Sequence, residues 1–171
     1  MSLDEQLREL LVQLRDERVN YALIGGLAMN VHARPRATAD IDLLVAASDH
    51  DLLCRLLKRL SYVVLDDRPE LASFVRGGQR VDALFATGEH AKEFLTESRL
   101  IEGVDGLRVV TPEALIALKL QAFNDDPRRL QDLADIMGLV EHNKDALDVE
   151  RLRGYFEIFQ RLELFDELFA Q

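Results

Sequence analysis

The most informative segment of the chain is LIGGLAMNVHARPRATADIDLLV, which runs from Leu23 to Val45. A strand-like apolar run ends in Gly25-Gly26, and a short helical pattern follows. Free N–H groups at the start of a helix can hold a phosphate, and glycine lets the backbone approach it closely. The pair therefore predicts a phosphate contact, with a plain tight turn as the alternative.

Two aspartates begin the second apolar run of this segment. Side chains alternate along a strand, so Asp40 and Asp42 point to one face with α-carbons about 6.6 Å apart. Like charges so placed repel unless a cation lies near them. Mg²⁺ usually combines one or two carboxylates with substrate phosphates. The pattern predicts a divalent metal site, and a solvent-facing strand edge is the alternative.

A third carboxylate and two arginines extend this prediction. Asp82 lies in the apolar strand pattern RVDALFA, on the face opposite Val81, Ala83 and Phe85. Three carboxylates from two neighbouring strands are able to hold the two metal ions of in-line phosphoryl transfer. Arg34 and Arg36 lie in the loop before Asp40. Because arginine is suited to bidentate phosphate contacts, they are predicted to contact a phosphate, and the alternative is a solvated loop.

The order of elements predicts an α+β (mixed α/β) fold. Helical and strand patterns alternate up to about residue 110, and helices dominate afterwards. We expect residues 1–110 to form a mixed sheet flanked by helices, and residues 111–171 to form a helical part packed on it. Ser48 is predicted to cap a helix that ends near Arg59, and Pro127 to start a helix that ends near Val140. A Phe- and Leu-rich helical pattern covers roughly 148–170, as a core stripe or a homodimer interface.

Composition narrows the classes of partner. The formal net charge of −10 argues against a large nucleic-acid footprint. No apolar run has the roughly 20 residues of a membrane helix, and the acidic N-terminus is not a secretory signal. The single cysteine, Cys54, fits a reducing cytoplasm and is expected to be buried and inert. His50, His90 and His142 are expected at the surface, and no His and Cys residues show zinc-site spacing.

The carboxylate and glycine pattern resembles the nucleotidyltransferase superfamily that includes DNA polymerase β. The closer resemblance is to AbiEii-type nucleotidyltransferases, whose signature contains Gly-Gly, Ala, His, Arg, Thr and Asp-Ile-Asp. These positions are filled here by Gly25, Gly26, Ala28, His32, Arg36, Thr38, Asp40 and Asp42.

A second resemblance to this family lies in TPEALIALKLQAFNDDPRRLQDLADI. It implies that Lys119 contacts a triphosphate and that Arg129, Asp132 and Asp135 line the acceptor side. There, Asp132 or Asp135 would accept the proton of an acceptor hydroxyl, as a general base does. The chain departs from the family pattern at Gln131, where lysine is frequent. The alternatives are a lysine that snorkels at a helix edge and a solvated helix face with an Arg128–Asp132 pair.

The resemblance implies an enzyme that transfers a nucleoside monophosphate from an NTP to a hydroxyl acceptor and releases pyrophosphate. Mg²⁺ or Mn²⁺ would be the cofactor, and the acceptor would be a small molecule, a protein or a tRNA. Asp40, Asp42 and Asp82 would bind metal, Asp132 would be catalytic, and Gly25, Gly26, Arg36, Thr38 and Lys119 would contact the nucleotide. The alternative is a catalytically silent nucleotide- or partner-binding module, such as a toxin–antitoxin component.

Overall fold

The computed structural model describes residues 1–170, which divide into two compact units. The first unit contains Met1–Ala28 and Arg36–Val110. The second contains Met29–Pro35 and the chain from Thr111 onward.

The first unit contains a seven-stranded mixed sheet in the order β3-β4-β5-β2-β1-β7-β6. The pairs β2–β5 and β1–β7 are parallel, and the other neighbours are antiparallel. The mixed α/β fold predicted from the sequence is therefore confirmed. The strands are β1 (Tyr21–Leu23), β2 (Asp40–Ala46), β3 (Val63–Asp67), β4 (Leu71–Arg76), β5 (Gln79–Ala86), β6 (Arg99–Leu100) and β7 (Arg108–Val109).

Eight α-helices accompany the sheet in the described residues. They are α1 (Leu3–Asp16), α2 (Gly25–His32), α3 (His50–Arg59), α4 (Glu89–Glu97), α5 (Pro112–Asp125), α6 (Leu130–Asn143), α7 (Val149–Ile158) and α8 (Leu162–Phe169). None of these helices is both long enough and apolar enough to cross a membrane.

Local start signals explain where two of the helices begin. Ser2 and Glu5 form a reciprocal capping box at the start of α1, as their spacing predicts. Thr111 Oγ1 accepts a hydrogen bond from Ala114 N, and Pro112 occupies the first turn of α5. Proline fits there because the N–H that it lacks would have no acceptor within the helix.

Two predicted helix starts are wrong. Ser48 lies in a 3₁₀ turn, Ala47–Asp49, and α3 begins only at His50 without a side-chain cap. Helix α6 begins at Leu130 rather than at Pro127. The Asp126 carboxylate there accepts from the backbone N–H of Arg128 and holds a turn that keeps the chain out of the helix.

The Phe- and Leu-rich C-terminal pattern is helical, as expected, and forms the two helices α7 and α8. Gln160, with φ 56°, turns the chain between α7 and α8. The rings of Phe156 and Phe165 are both buried and meet edge to face, with centroids 5.5 Å apart. These two rings therefore pack as core within the second unit, while Phe159, Leu162 and Phe169 are half-buried.

Packing of the sheet separates its apolar and polar side chains. On β2, Ile41 and Leu43 are fully buried, whereas Asp40 and Asp42 are half-buried on the opposite face. On β5, Val81, Ala83 and Phe85 are buried in the same alternating way. The aspartates of both strands therefore share one face of the sheet.

Candidate active site

The strand register brings the predicted carboxylates together. In the parallel pair β2–β5, Asp42 lies directly beside Asp82, and Asp40 beside Arg80. Adjacent strands are about 4.8 Å apart, so the Asp42 and Asp82 carboxylates are close neighbours. We call Gly25, Asp40, Asp42, Ser73, Arg80 and Asp82 the strand site.

Strand β1 delivers the glycines to the same place. It pairs antiparallel with β2, Leu23 beside Leu43, and the N–H of Ile24 donates to the carbonyl of Asp42 at 3.0 Å. Helix α2 then starts at Gly25, next to Asp42. The antiparallel pair thus places a helix N-terminus beside the Asp42 carboxylate.

Gly25 allows this close approach because it has no side chain. A Cβ at this position would lie 2.0 Å from Oδ2 of Asp42, and the φ of 61° is itself unfavourable for other residues. At Gly26 a Cβ would lie 2.6 Å from Thr38 Oγ1. The two glycines therefore let the Asp42 carboxylate and Thr38 pack directly against the backbone.

Asp82 is held by two donors that the sequence analysis did not single out. Ser73, opposite Asp82 on β4, donates from Oγ to Asp82 Oδ1 at 2.6 Å. Arg80 donates from Nε to the same oxygen at 2.8 Å and from Nη2 to Ser73 Oγ at 3.1 Å. Because both donors use Oδ1, they orient the carboxylate with Oδ2 directed away from them.

The strand site also affects the pKa of Arg80. The hydrogen bond to Asp82 is the main reason that the pKa of this guanidinium is raised, and the charges of Asp40 and Asp42 add to it. Arg80 lies two residues before Asp82, so strand alternation could have revealed its place on the same face. Ser73 could be found only from the pairing of β4 with β5.

The donor set of the strand site fits a hard divalent cation. Asp40, Asp42 and Asp82 offer carboxylate oxygens, which Mg²⁺ prefers. Asp42 lies in the space that a Cβ on Gly25 would fill, and the Asp82 side chain is 24% exposed. All three carboxylates are partly exposed to solvent.

Two further predicted contacts of the nucleotide lie in the loop between α2 and β2. Arg36 is exposed, and Thr38 is half-buried beside Gly26. Thr38 Oγ1 donates to the carbonyl of Asp40 at 3.4 Å. Arg34, the other loop arginine, is exposed as well.

Lys119 and Asp132 belong to the second unit, where they form a buried ionic group. Lys119 Nζ lies 3.1 Å from Asp132 Oδ1 and 2.6 Å from Asp135 Oδ2. Arg129 Nε donates to Asp132 Oδ2 at 2.5 Å, and Gln131 Nε2 donates to Asp135 Oδ1 at 2.8 Å. We call these five residues the Lys119 cluster.

The burial of this cluster overturns two alternatives drawn from the sequence. The Lys119 side chain is only 8% exposed, so it does not snorkel to a helix edge. Asp132 and Asp135 are buried on α6 and do not form a solvated face. Arg128 lies before the helix and pairs with Asp126 instead of Asp132. Gln131 supplies a neutral donor where the family pattern frequently has lysine.

Solved structures of similar shape are nucleotidyltransferases, at sequence identities that show the fold alone. The crystal structure of ANT(2'')-Ia in complex with adenylyl-2''-tobramycin is 15% identical with a TM-score of 0.71, covering 93% of this chain and 97% of that one. An antigenic nucleotidyltransferase-like protein from Paracoccidioides brasiliensis is 17% identical with a TM-score of 0.61, covering 100% and 95%. Lincomycin-bound LnuA, a lincosamide antibiotic adenylyltransferase, is 15% identical with a TM-score of 0.55, covering 81% and 96%.

The fold agrees with the nucleotidyltransferase class, and a family model places the chain in it. The chain belongs to the family described as "Nucleotidyl transferase AbiEii toxin, Type IV TA system", whose model matches residues 9–170. The resemblance seen in the sequence is thereby confirmed. No curated protein sequence matches the chain.

Proposed function

We propose that the protein transfers a nucleoside monophosphate from an NTP to a hydroxyl acceptor with release of pyrophosphate. The observation that carries this proposal is the register of β2 and β5, which sets Asp42 beside Asp82 with Asp40 on the same face. This arrangement, next to a glycine-started helix, suits binding of a metal-complexed triphosphate.

The metal ligands would be Asp40, Asp42 and Asp82, with Mg²⁺ or Mn²⁺ as the ion. When bound, a divalent ion neutralises phosphate charge and polarises the phosphoryl oxygens. Ser73 and Arg80 would act as positioning residues, because both hold Oδ1 of Asp82. This leaves Oδ2 of Asp82 as the ligand atom.

Gly25 and Gly26 would contact the phosphates through the backbone. The first N–H groups of α2 have no partners within the helix and so can donate to phosphate oxygens. Thr38 and Arg36, in the loop before β2, would add a hydroxyl and a guanidinium contact. Catalysis would depend mostly on positioning and charge stabilisation.

In the second unit, we propose that Asp132 accepts the proton of the acceptor hydroxyl. Its carboxylate is already oriented by Lys119 and Arg129. Lys119 was expected to contact the triphosphate, and that stays a prediction. Its burial between two carboxylates supports a role in positioning Asp132 and Asp135.

Small hydroxylated molecules are the first acceptors to test. The solved relatives named above contain adenylyl-2''-tobramycin and lincomycin, which supports an acceptor of this chemical class. A protein side chain and a tRNA end are the next acceptors to test. The net charge of −10 makes tRNA the weakest of the three, because tRNA needs a basic surface.

The test is transfer of label from each of four α-³²P-labelled NTPs, with Mg²⁺, to panels of the three acceptor classes. We expect one nucleotide to label one class, and Asp42→Asn to abolish the labelling. Asp66→Asn is the matched control, because Asp66 lies on β3 opposite Ser73, on the same sheet face but away from Asp42. Equal labelling by the wild type and Asp42→Asn would contradict the proposal.

A nucleotide- or partner-binding module without turnover gives a different result. It would bind an NTP with Mg²⁺ and lose that binding in Asp42→Asn, but it would label no acceptor and release no pyrophosphate. The family description, a toxin of a toxin–antitoxin system, makes an antitoxin the partner to add in that case.

A further inference from the structure

A second set of metal-ligating side chains lies away from the strand site. His50 and Cys54 are four residues apart on α3, so they share one helix face, and Asp67 ends β3. One ligand atom from each of the three lies within 4.8 Å of the other two. We call these residues the His50 cluster.

The His50 cluster faces the opposite side of the sheet from the strand site. The His50 ring packs on Phe85, with centroids 4.3 Å apart, and Phe85 lies on the apolar face of β5 opposite Asp82. An irregularity between Val64 and Asp66 shifts the register of β3, so that Asp67 pairs with Ala72. The shift turns Asp67 toward the face of α3, as β-bulges commonly re-aim a side chain.

The second observation is the state of His50 Nε2. This atom is buried and has no hydrogen-bond partner in the described residues, although Asp67 Oδ1 lies only 3.0 Å from it. The two atoms lie within hydrogen-bond distance but form no hydrogen bond. A ring nitrogen and a carboxylate oxygen at this distance suit two ligands of one cation.

The other ring nitrogen favours the same role. His50 Nδ1 lies 3.4 Å from Asp51 Oδ1, within hydrogen-bond distance. A proton on Nδ1, shared with this carboxylate, leaves the lone pair of Nε2 for a metal. Carboxylate–histidine–metal arrangements of this kind are common around zinc.

We propose that His50, Cys54 and Asp67 bind one Zn²⁺ ion, with water as the fourth ligand. Zinc accepts nitrogen, sulfur and oxygen ligands together at about 2.0–2.3 Å. In a tetrahedral site the ligand atoms are then separated by roughly 3.3–3.6 Å, which small side-chain rotations reach from the present cluster. The Asp67 side chain is 41% exposed, which gives the ion and the water access from solvent.

The proposal revises two expectations from the sequence. His50 is half-buried, whereas it was expected at the surface. Asp67, far along the chain, completes a set of ligands that the spacing of His and Cys residues alone did not show. Cys54 is buried as expected, and burial followed by the charge of Asp67 raises the pKa of its thiol.

The test is titration of the metal-free full chain with Co²⁺, a spectroscopic substitute for Zn²⁺, in an excess of Mg²⁺ that occupies carboxylate sites. A thiolate-to-cobalt charge-transfer band can only report Cys54, because the chain has one cysteine. We expect the band to saturate at one ion per chain and to disappear when Zn²⁺ is added. Absence of the band in the folded wild type would overturn the proposal.

Variants separate the His50 cluster from other carboxylates. Asp67→Asn should weaken Co²⁺ affinity about 10-fold or more, whereas Asp66→Asn, its neighbour on the opposite face, should leave the affinity unchanged. Asp42→Asn and His90→Gln should also retain the wild-type affinity. Cys54→Ala should lose the charge-transfer band. If Cys54→Ala does not fold, the Co²⁺ affinity of Asp67→Asn still tests the proposal. Equal Co²⁺ affinity in Asp67→Asn and the wild type would overturn the proposal.

Discussion

The strand site and the Lys119 cluster both consist of aspartates and basic side chains, but they differ in burial. Asp82 of the strand site is 24% exposed, while the side chains of Lys119, Asp132 and Asp135 are at most 9% exposed. Carboxylates open to solvent can take an ion without first breaking a buried pair. Buried ones depend on their protein partners. We therefore expect mutations to affect ligand binding in the strand site and folding in the Lys119 cluster.

The largest effect on folding should come from Lys119→Met. This change keeps most of the side-chain length but leaves Asp132 and Asp135 buried without their shared ammonium. We expect the free energy of unfolding to fall by about 3–5 kcal/mol, measured by urea denaturation. Lys144→Met, at an exposed lysine just after α6, is the control and should change it by less than about 0.5 kcal/mol.

The combined variant Lys119→Met/Asp135→Asn sharpens this result. It removes the charge of Asp135, which Lys119→Met leaves without its ammonium, so it should be more stable than Lys119→Met alone. If the free energy of unfolding falls by less than about 1 kcal/mol in Lys119→Met, the expected difference between the Lys119 cluster and the strand site is wrong.

Gly25→Ala should affect both folding and binding. The positive φ should cost about 1–2 kcal/mol, and the new Cβ would push the Asp42 carboxylate from its place. Gly78→Ala is a matched control, because Gly78 has a φ of 82° but open space around a Cβ. We expect both variants to lose stability in denaturation and only Gly25→Ala to lose Mg²⁺-dependent NTP binding in calorimetry. Equal NTP binding by the two variants would show that Gly25 does not contribute to nucleotide binding at the strand site.

Ser73→Ala should have a smaller effect. It removes one of two donors to Asp82 while Arg80 remains, so we expect the free energy of unfolding to fall by about 1 kcal/mol. Nucleotide affinity with Mg²⁺ should fall about 10-fold, because the carboxylate loses part of its orientation. Ser48→Ala, at an exposed serine, is the control. Unchanged affinity in Ser73→Ala would show that Arg80 alone orients Asp82.

The three carboxylates of the strand site were predictable because strand alternation is a local rule. The spacing of Asp40 and Asp42, and the apolar neighbours of Asp82, place all three on one sheet face before any pairing is known. The register that brings β2 beside β5 is a long-range property, so the sequence alone did not reveal Ser73. The roles of these residues remain predictions.

The Lys119 cluster and the His50 cluster were harder to predict, for a physical reason. Charged residues are seldom fully buried, so Asp132 and Asp135 on a helix suggest a solvated face. Only the packing of α5 against α6 shows that Lys119 compensates them. The His50 cluster depends on the pairing irregularity in β3, which turns Asp67 toward α3 and leaves no signal in the sequence.

The smallest effect on folding and the clearest effect on binding should come from Asp42→Asn, which we expect to change the free energy of unfolding by less than about 1 kcal/mol. The direct test is the Tm of the wild type, Asp42→Asn and Asp66→Asn with each NTP, with and without Mg²⁺. At about 100 times Kd, the favoured nucleotide with Mg²⁺ should raise the Tm of the wild type and Asp66→Asn by about 5–10 °C. Asp42→Asn should show almost no rise. An equal rise in all three proteins, or a rise independent of Mg²⁺, would contradict a metal role for the strand carboxylates.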